Sequence, residues 1–123
     1  MGLEIARQLA SRGAIVSLAD VNEKGLEAAV MCLPGDKHIH SPVDVRDSSS
    51  VNRWIEKTVK ELGRLDGAVN FAGICSFDRT IMEETDEGWK RSMDVNATGV
   101  FYCIRAQLQN MQSGASIVSR SVS

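Results

Sequence analysis

Apolar positions recur at helical spacing over residues 2–12, where Leu3, Ile5, Ala6, Leu9 and Ala10 form one stripe before Gly13. That pattern predicts a helix with a left-handed stop at the glycine. Residues 14–19 are a short apolar run that reads as a buried strand, with Asp20 at its carboxyl end. A second helix is predicted over 22–31, with Asn22 as its N-cap. Residues 37–41 form a weak strand leading into Pro42-Val-Asp-Val45. Asp47 then caps a long helix, in which Val51, Trp54, Ile55, Val59 and Leu62 share one face and Gly63 marks the end.

The pattern repeats downstream. Residues 65–69 read as a strand. Thr85 is a candidate N-cap, with Asp86 and Glu87 favourable in the first helical turn. The helical region carrying Trp89 and Met93 runs through Asp94-Val-Asn96 into a stripe of Val100, Phe101, Ile104, Leu108 and Met111. Gly114 breaks it, and Ser116-Ile-Val118 begins a last strand. Short apolar strands alternating with helices predict a parallel sheet with helices on both faces, as one α/β domain or a piece of one.

Composition narrows the setting. With 43% hydrophobic and 24% charged residues in 123, the chain is rich enough in apolar side chains to fold. A net charge of −2 gives no basis for binding nucleic acid or an anionic membrane. No apolar run is long enough to span a bilayer, and Glu4 and Arg7 interrupt the start, unlike a signal peptide. A cytoplasmic location is the resulting expectation. Cys32, Cys75 and Cys103 are too scattered for a disulfide framework or a zinc site. His38 and His40 alternate on a short strand and lack a third ligand nearby, so they are expected to face solvent and no metal is expected.

Some positions carry candidate chemistry. Asp66-Gly-Ala-Val-Asn70-Phe-Ala-Gly73 is an apolar strand running into a polar turn of small residues, where backbone can approach something flat. Gly2 opens the first helix, where a dinucleotide fold needs glycine so that the backbone can reach a pyrophosphate. Asp20 follows 18 residues later, near the usual interval of about 20 for the acid that takes the ribose hydroxyls. A carboxylate there suits NAD and would repel the 2′-phosphate of NADP. The alternative is a loop aspartate capping the next helix. Asn96 inside a helical pattern, with Thr98-Gly99 beside it, argues for a local distortion.

Asn70-Phe-Ala-Gly73 resembles the Asn-Asn-Ala-Gly motif of the short-chain dehydrogenase/reductase family. Gly2-Leu-Glu-Ile-Ala6 resembles the end of that family's Thr-Gly-X-X-X-Gly-X-Gly motif, and Asp94-Val-Asn96 its helix-kinking asparagine. The resemblance covers essentially the whole chain and implies a Rossmann-type doubly wound sheet, with residues 1–123 as a partial NAD(P)-binding domain. It implies cofactor contacts at Gly2, Asp20, Asp44, Val45, Asn70, Ala72 and Gly73, with Asp44-Val45 at the adenine. Asp66 would steady the turn from the start of its strand. Phe71 replaces the second Asn of the motif, which removes a hydrogen-bonding side chain there. Asn96 would hold a catalytic water through its backbone.

The family's catalytic serine, in Ile-Val-Asn-X-Ser-Ser-X-X-Gly, falls on Val122 without a gap, on Ser121 with a one-residue deletion, and Ser123 is a third option. Ser121 is favoured. Arg120 is unexpected in a strand that should be buried.

The implied reaction is hydride transfer between NAD(H) and a secondary alcohol or ketone. The family's acid/base pair is a Tyr with a Lys four residues later. Here the single tyrosine, Tyr102, has Ala106 at that position and reads as a packing residue. The family's first strand and its C-terminal strands are also missing from the pattern. In the doubly wound order the first strand is central, so a gap between two sheet edges is expected. The expectations are therefore a fragment with little or no turnover, or alternatively a non-catalytic nucleotide-binding or oligomerisation module. Family members associate through helices corresponding to 47–62 and 98–111. The substrate itself is not legible.

Overall fold

The computed structural model describes residues 2–71, 73 and 80–120. Three of the described helices start at a side-chain cap that the sequence supplies. Helix α1 is Gly2–Ser11. Helix α2, Glu23–Met31, begins with the Asn22 side chain accepting from the Gly25 N–H. Helix α3, Ser48–Leu62, begins with Asp47 accepting from the Ser49 N–H, and ends at Gly63 with φ 89°. That dihedral is easy for glycine and costly for a residue with a Cβ. Helix α4, Asp86–Met93, begins with Thr85 accepting from Gly88. It runs through a π-helical turn, Asp94–Gly99, into α5, Val100–Asn110.

Four short parallel strands accompany them. Strand β1 (Ser17–Asp20) pairs with β2 (Ile39–Pro42), Ser17 opposite Ile39 and Asp20 opposite Pro42. Strand β3 (Gly67–Asn70) pairs with β4 (Ser116–Ser119), Gly67 opposite Ser116 and Asn70 opposite Ser119. The described strands thus form two two-stranded sheets and not one continuous sheet. A doubly wound sheet would set a further strand between β1 and β3. Among the described residues β1 and β3 each pair on one edge.

Two strand limits differ from the sequence reading. Residues 14–16 do not join β1, and Ile15 is 49% exposed. Likewise β3 starts at Gly67 and not at Leu65. An apolar run forms a ladder only where a partner strand offers hydrogen bonds.

Helices hold the two sheets together. Along α3, Val51, Ile55 and Thr58 recur at helical spacing and are buried against α5. Val51 and Ile55 form one core with Val43, Cys103 and Ala106, packed by Ala19, Val45, Trp54, Leu65 and Tyr102. This core takes residues from both sheet regions. Each large side chain there contributes roughly 1.5–3 kcal/mol by leaving water, and Ile55→Ala would cost about 2–5 kcal/mol. A smaller core sets Ala6 and Ala10 of α1 and Leu33 against Val16 and Leu18.

Polar groups close one seam. Trp54 Nε1–H donates to Ser17 Oγ at 3.0 Å, Ser17 Oγ lies 2.7 Å from Thr58 Oγ1, and Thr58 donates to the Trp54 carbonyl at 2.8 Å. The histidines are not solvent-facing, contrary to expectation; both are half-buried. His38 Nδ1 accepts the Val16 N–H at 3.0 Å, and its Nε2 lies 2.8 Å from the Pro34 carbonyl. The Val16 carbonyl in turn accepts the Ile39 N–H at 3.0 Å, so both backbone groups of Val16 are bonded to residues 38 and 39. Among the described residues no helix is long and apolar enough to cross a membrane.

Candidate functional site

The candidate residues gather at the carboxyl ends of the strands, where open α/β sheets bind ligands. Gly2, at the start of α1, lies against the turn after β3. A methyl group on Gly2 would sit 4.0 Å from the Phe71 Cβ. The helix N-terminus and the turn are therefore neighbours, with room for backbone to approach a ligand.

Asp20 ends β1 and is exposed. Its Oδ1 accepts from the Val21 N–H at 2.6 Å and the Asn22 N–H at 3.4 Å. It does not cap α2, because Asn22 does. The alternative reading of Asp20 as a helix cap is thus not what the structure shows. Its backbone carbonyl accepts the Val43 N–H at 2.8 Å, which ties it to the end of β2.

Asp44 and Val45 follow β2. Asp44 is held by a two-point ion pair: Arg46 Nε donates to Oδ1 at 3.0 Å and Arg46 Nη2 to Oδ2 at 2.8 Å. The Arg46 backbone N–H adds a third bond at 3.0 Å. Hydrogen bonding from the Arg46 side chain, then from its backbone, holds the Asp44 carboxyl below the usual range. Both its oxygens are engaged, so a contact to adenine through that carboxylate would compete with Arg46. Val45 packs on the main core.

Asn70 is the largest departure from a simple cofactor wall. Its side chain is buried and turned into the protein. Gln107 of α5 donates to Asn70 Oδ1 at 2.7 Å and accepts from Asn70 Nδ2 at 3.0 Å. Asn70 Nδ2 also lies 3.2 Å from Ser119 Oγ. Gln107, 0% exposed, was missed by the sequence reading. The available signal was a long amide side chain on the face that also carries Cys103 and Ala106.

Asp66 does not steady this turn. Its carboxylate pairs with Arg64 at 2.9 Å, at the opposite end of β3, and a four-residue strand spans about 13 Å. The turn has another support where Phe71 replaces a polar residue. The Arg120 guanidinium carbon lies 5.9 Å from the centre of the Phe71 ring, within reach of a cation–π contact. Arg120 is exposed just beyond β4, which removes the difficulty of placing it in a buried strand.

Asn96 lies in the π-helical turn Asp94–Gly99, the distortion its sequence context suggested. Such turns widen the helix and free backbone groups for other partners. Tyr102 is half-buried on the main core, with the Arg105 guanidinium 5.3 Å from its ring centre, as expected of a packing residue. Ala72 and Ser121, with Val122 and Ser123, lie outside the described residues. Among the described residues no cluster of His, Cys, Asp and Glu could hold a metal ion.

The geometry leaves Gly2 open to close backbone approach by a dinucleotide, and the Asp20 carboxylate exposed at the end of β1. Comparison with known proteins gives this arrangement a context. A family model described as enoyl-(acyl carrier protein) reductase matches residues 1–123. The short-chain dehydrogenase/reductase ABA4 of Pyricularia oryzae is 38% identical, over 97% of this chain and 46% of its own. Chanoclavine-I dehydrogenase of Aspergillus fumigatus is 36% identical, over 99% of this chain and 50% of its own. Among solved structures, a dehydrogenase/reductase from Sinorhizobium meliloti matches with a TM-score of 0.89 at 32% identity, covering 96% of this chain and 48% of that one. A short-chain dehydrogenase/reductase from Serratia marcescens gives the same TM-score at 26% identity, over 96% of this chain and 49% of its own. The chain spans about half the length of the relatives it matches. It belongs to the short-chain dehydrogenase/reductase family of oxidoreductases, an α/β fold of the Rossmann type.

Proposed function

We propose that this chain is the cofactor-binding part of an NAD(H)-dependent oxidoreductase that interconverts a secondary alcohol and a ketone. The observation that carries the cofactor choice is Asp20. Its carboxylate stands exposed at the end of β1, bonded only to loop N–H groups among the described residues. A carboxylate in that place can accept from both adenosine ribose hydroxyls and repels a 2′-phosphate. Gly2 would face the pyrophosphate, and Val45, Ala72 and Gly73 would line the nucleoside. Asn70 acts by shaping the turn, since its side chain is engaged with Gln107. The bound nicotinamide would supply the hydride chemistry. Asn96 and Ser121 are assigned to the water and the substrate oxygen.

The acid/base pair expected for such a reaction, a Tyr with a Lys four positions on, does not occur in these 123 residues. The 123-residue polypeptide alone is therefore expected to bind NADH without turnover. The test is a titration of NADH and of NADPH into the chain and its Asp20→Ala variant. Tighter NADH binding, with the preference erased in Asp20→Ala, supports the reading. Equal or tighter NADPH binding by the unaltered chain sinks it.

A second reading, an oligomerisation module in a reduced cytoplasm, is favoured by α5. Its outer face exposes Phe101 at 55% and Leu108 at 62%. Large apolar side chains on one exposed face suit a helix-to-helix interface. Sedimentation distinguishes the two: a stable dimer lost in Phe101→Ser with Leu108→Ser favours this reading, and a monomer removes it.

A further inference from the structure

We infer that Gln107 is a positioning residue, which sets the turn after β3 relative to the helix that carries Asn96. The inference rests on the cofactor-site reading above for its functional consequence, and on geometry alone for the clamp itself. Gln107 and Asn70 exchange two amide hydrogen bonds, 2.7 and 3.0 Å, across 37 residues of sequence. Both side chains are buried, at 0% and 6% exposure. A reciprocal amide pair fixes both the distance and the rotation between its partners, which one hydrogen bond does not.

What the clamp joins gives it its role. Asn70 is the last residue of β3, and the turn through Phe71 and Gly73 starts from its backbone. The Asn70 carbonyl accepts the Arg120 N–H at 3.0 Å, and its Nδ2 reaches Ser119 Oγ at 3.2 Å, so the end of β4 is fixed through the same residue. Gln107 stands on α5, continuous with the π-helical turn that contains Asn96. The Gln107–Asn70 pair therefore joins the ends of β3 and β4 to the helix of Asn96. β3 is four residues long and, among the described residues, pairs on one edge only. So short a strand has few ladder bonds to define its end, and a buried side-chain pair has correspondingly more influence there.

The test compares Gln107→Met, Gln107→Glu and Gly63→Ala. Met keeps length without hydrogen bonds. Glu keeps the acceptor for Asn70 and loses the donated bond. Gly63, whose φ of 89° strains any residue with a Cβ and where an added Cβ would meet nothing within 4 Å, lies outside this cluster and serves as a stability control. Amide exchange is read at Arg120, held by Asn70, and at Ile39, held by Val16 in the other sheet.

The expected result is exchange at Arg120 faster by about tenfold or more in Gln107→Met, with Ile39 little changed and Gln107→Glu intermediate. The NADH dissociation constant should rise by about fivefold or more in Gln107→Met. Gly63→Ala should leave the Arg120-to-Ile39 ratio and the affinity in place. Unchanged Arg120 exchange, or equal acceleration at Arg120 and Ile39, overturns the positioning role. If Gln107→Met does not fold, Gln107→Glu decides by the same ratio. If the unaltered chain binds no NADH, the cofactor reading fails while the exchange ratio still decides the clamp.

Discussion

Gly99 packs directly against Val45, so closely that its missing side chain is part of the contact. A methyl group on Gly99 would lie 2.8 Å from Val45 Cγ2, 3.0 Å from Val45 Cβ and 3.3 Å from the Asp94 carbonyl. Val45 is β-branched and cannot swing aside without leaving its rotamer. Gly99→Ala should gain up to about 1 kcal/mol of helix propensity and lose about 1–3 kcal/mol to overpacking. A net loss is expected, seen as a lower urea midpoint. Val45→Ala in the same chain should recover part of it, which a double-mutant cycle measures. A Gly99→Ala variant at least as stable as the unaltered chain would contradict the contact.

The seam between β1 and α3 carries a second prediction. Ser17 accepts from the Trp54 indole and lies within hydrogen-bond distance of Thr58, at 3.0 and 2.7 Å. Ser17→Ala leaves the half-buried indole N–H without its partner, which costs about 1–3 kcal/mol. Ser11→Ala is a fair control, because Ser11 is exposed and bonds only the Gln8 carbonyl in its own helix. Urea melts should separate the two variants clearly. Equal stabilities would mean that water replaces the Ser17 hydroxyl.

Helix limits were legible wherever a local signal sets them. Asn22, Asp47 and Thr85 each cap the helix they precede, and Gly63 closes α3 with a positive φ. The distortion at Asn96 was legible too, from an asparagine and a glycine in a helical stripe. Strand limits were less so, because an apolar run such as 14–16 forms a ladder only if a partner is present, and periodicity does not report partners. At the site, the sequence marks which residues cluster but not which way they point. Asp20 projects outward, whereas Asn70 turns inward to a glutamine 37 positions away. Asp44 is engaged by Arg46 two positions on, a pair that spacing alone does not reveal.

That pair makes a prediction about acid. Arg46 holds the Asp44 carboxyl below its ordinary value, first by the side-chain hydrogen bond and then by the backbone one. A depressed carboxyl stabilises the fold above its unfolded pKa, near about 4. That contribution fades as pH falls through the lowered value. The pair is well exposed, with side chains 49% and 40% accessible, so the effect on stability should be small and weakened by salt. The direct check is an NMR titration of Asp44, whose midpoint should rise in Arg46→Ala. If Asp44 serves adenine, the same variant should tighten NADH by about twofold to threefold; weaker binding would show that Arg46 itself helps to hold the nucleotide.

Cys103 gives the opposite sign at the alkaline end. It is 4% exposed in the main core between α3 and α5. Burial pushes its thiol up to about 11. A raised acid group contributes stability that is complete below its unfolded pKa, about 8.5–9. The contribution is lost as pH rises through the folded value of about 11. Two pH units correspond to a few kcal/mol, on the order of 2–3 if the core stays closed. Cys103→Ala should be less stable at neutral pH, because it leaves a small cavity. It should nevertheless lose less stability than the unaltered chain between about pH 9 and 11. Lysines and Tyr102 titrate in both proteins, so the difference between their slopes isolates the thiol. A thiol reagent gives an independent reading at neutral pH: exposed Cys32 should react well before Cys103. Parallel slopes and equal labelling rates would mean that the core between α3 and α5 opens readily to water.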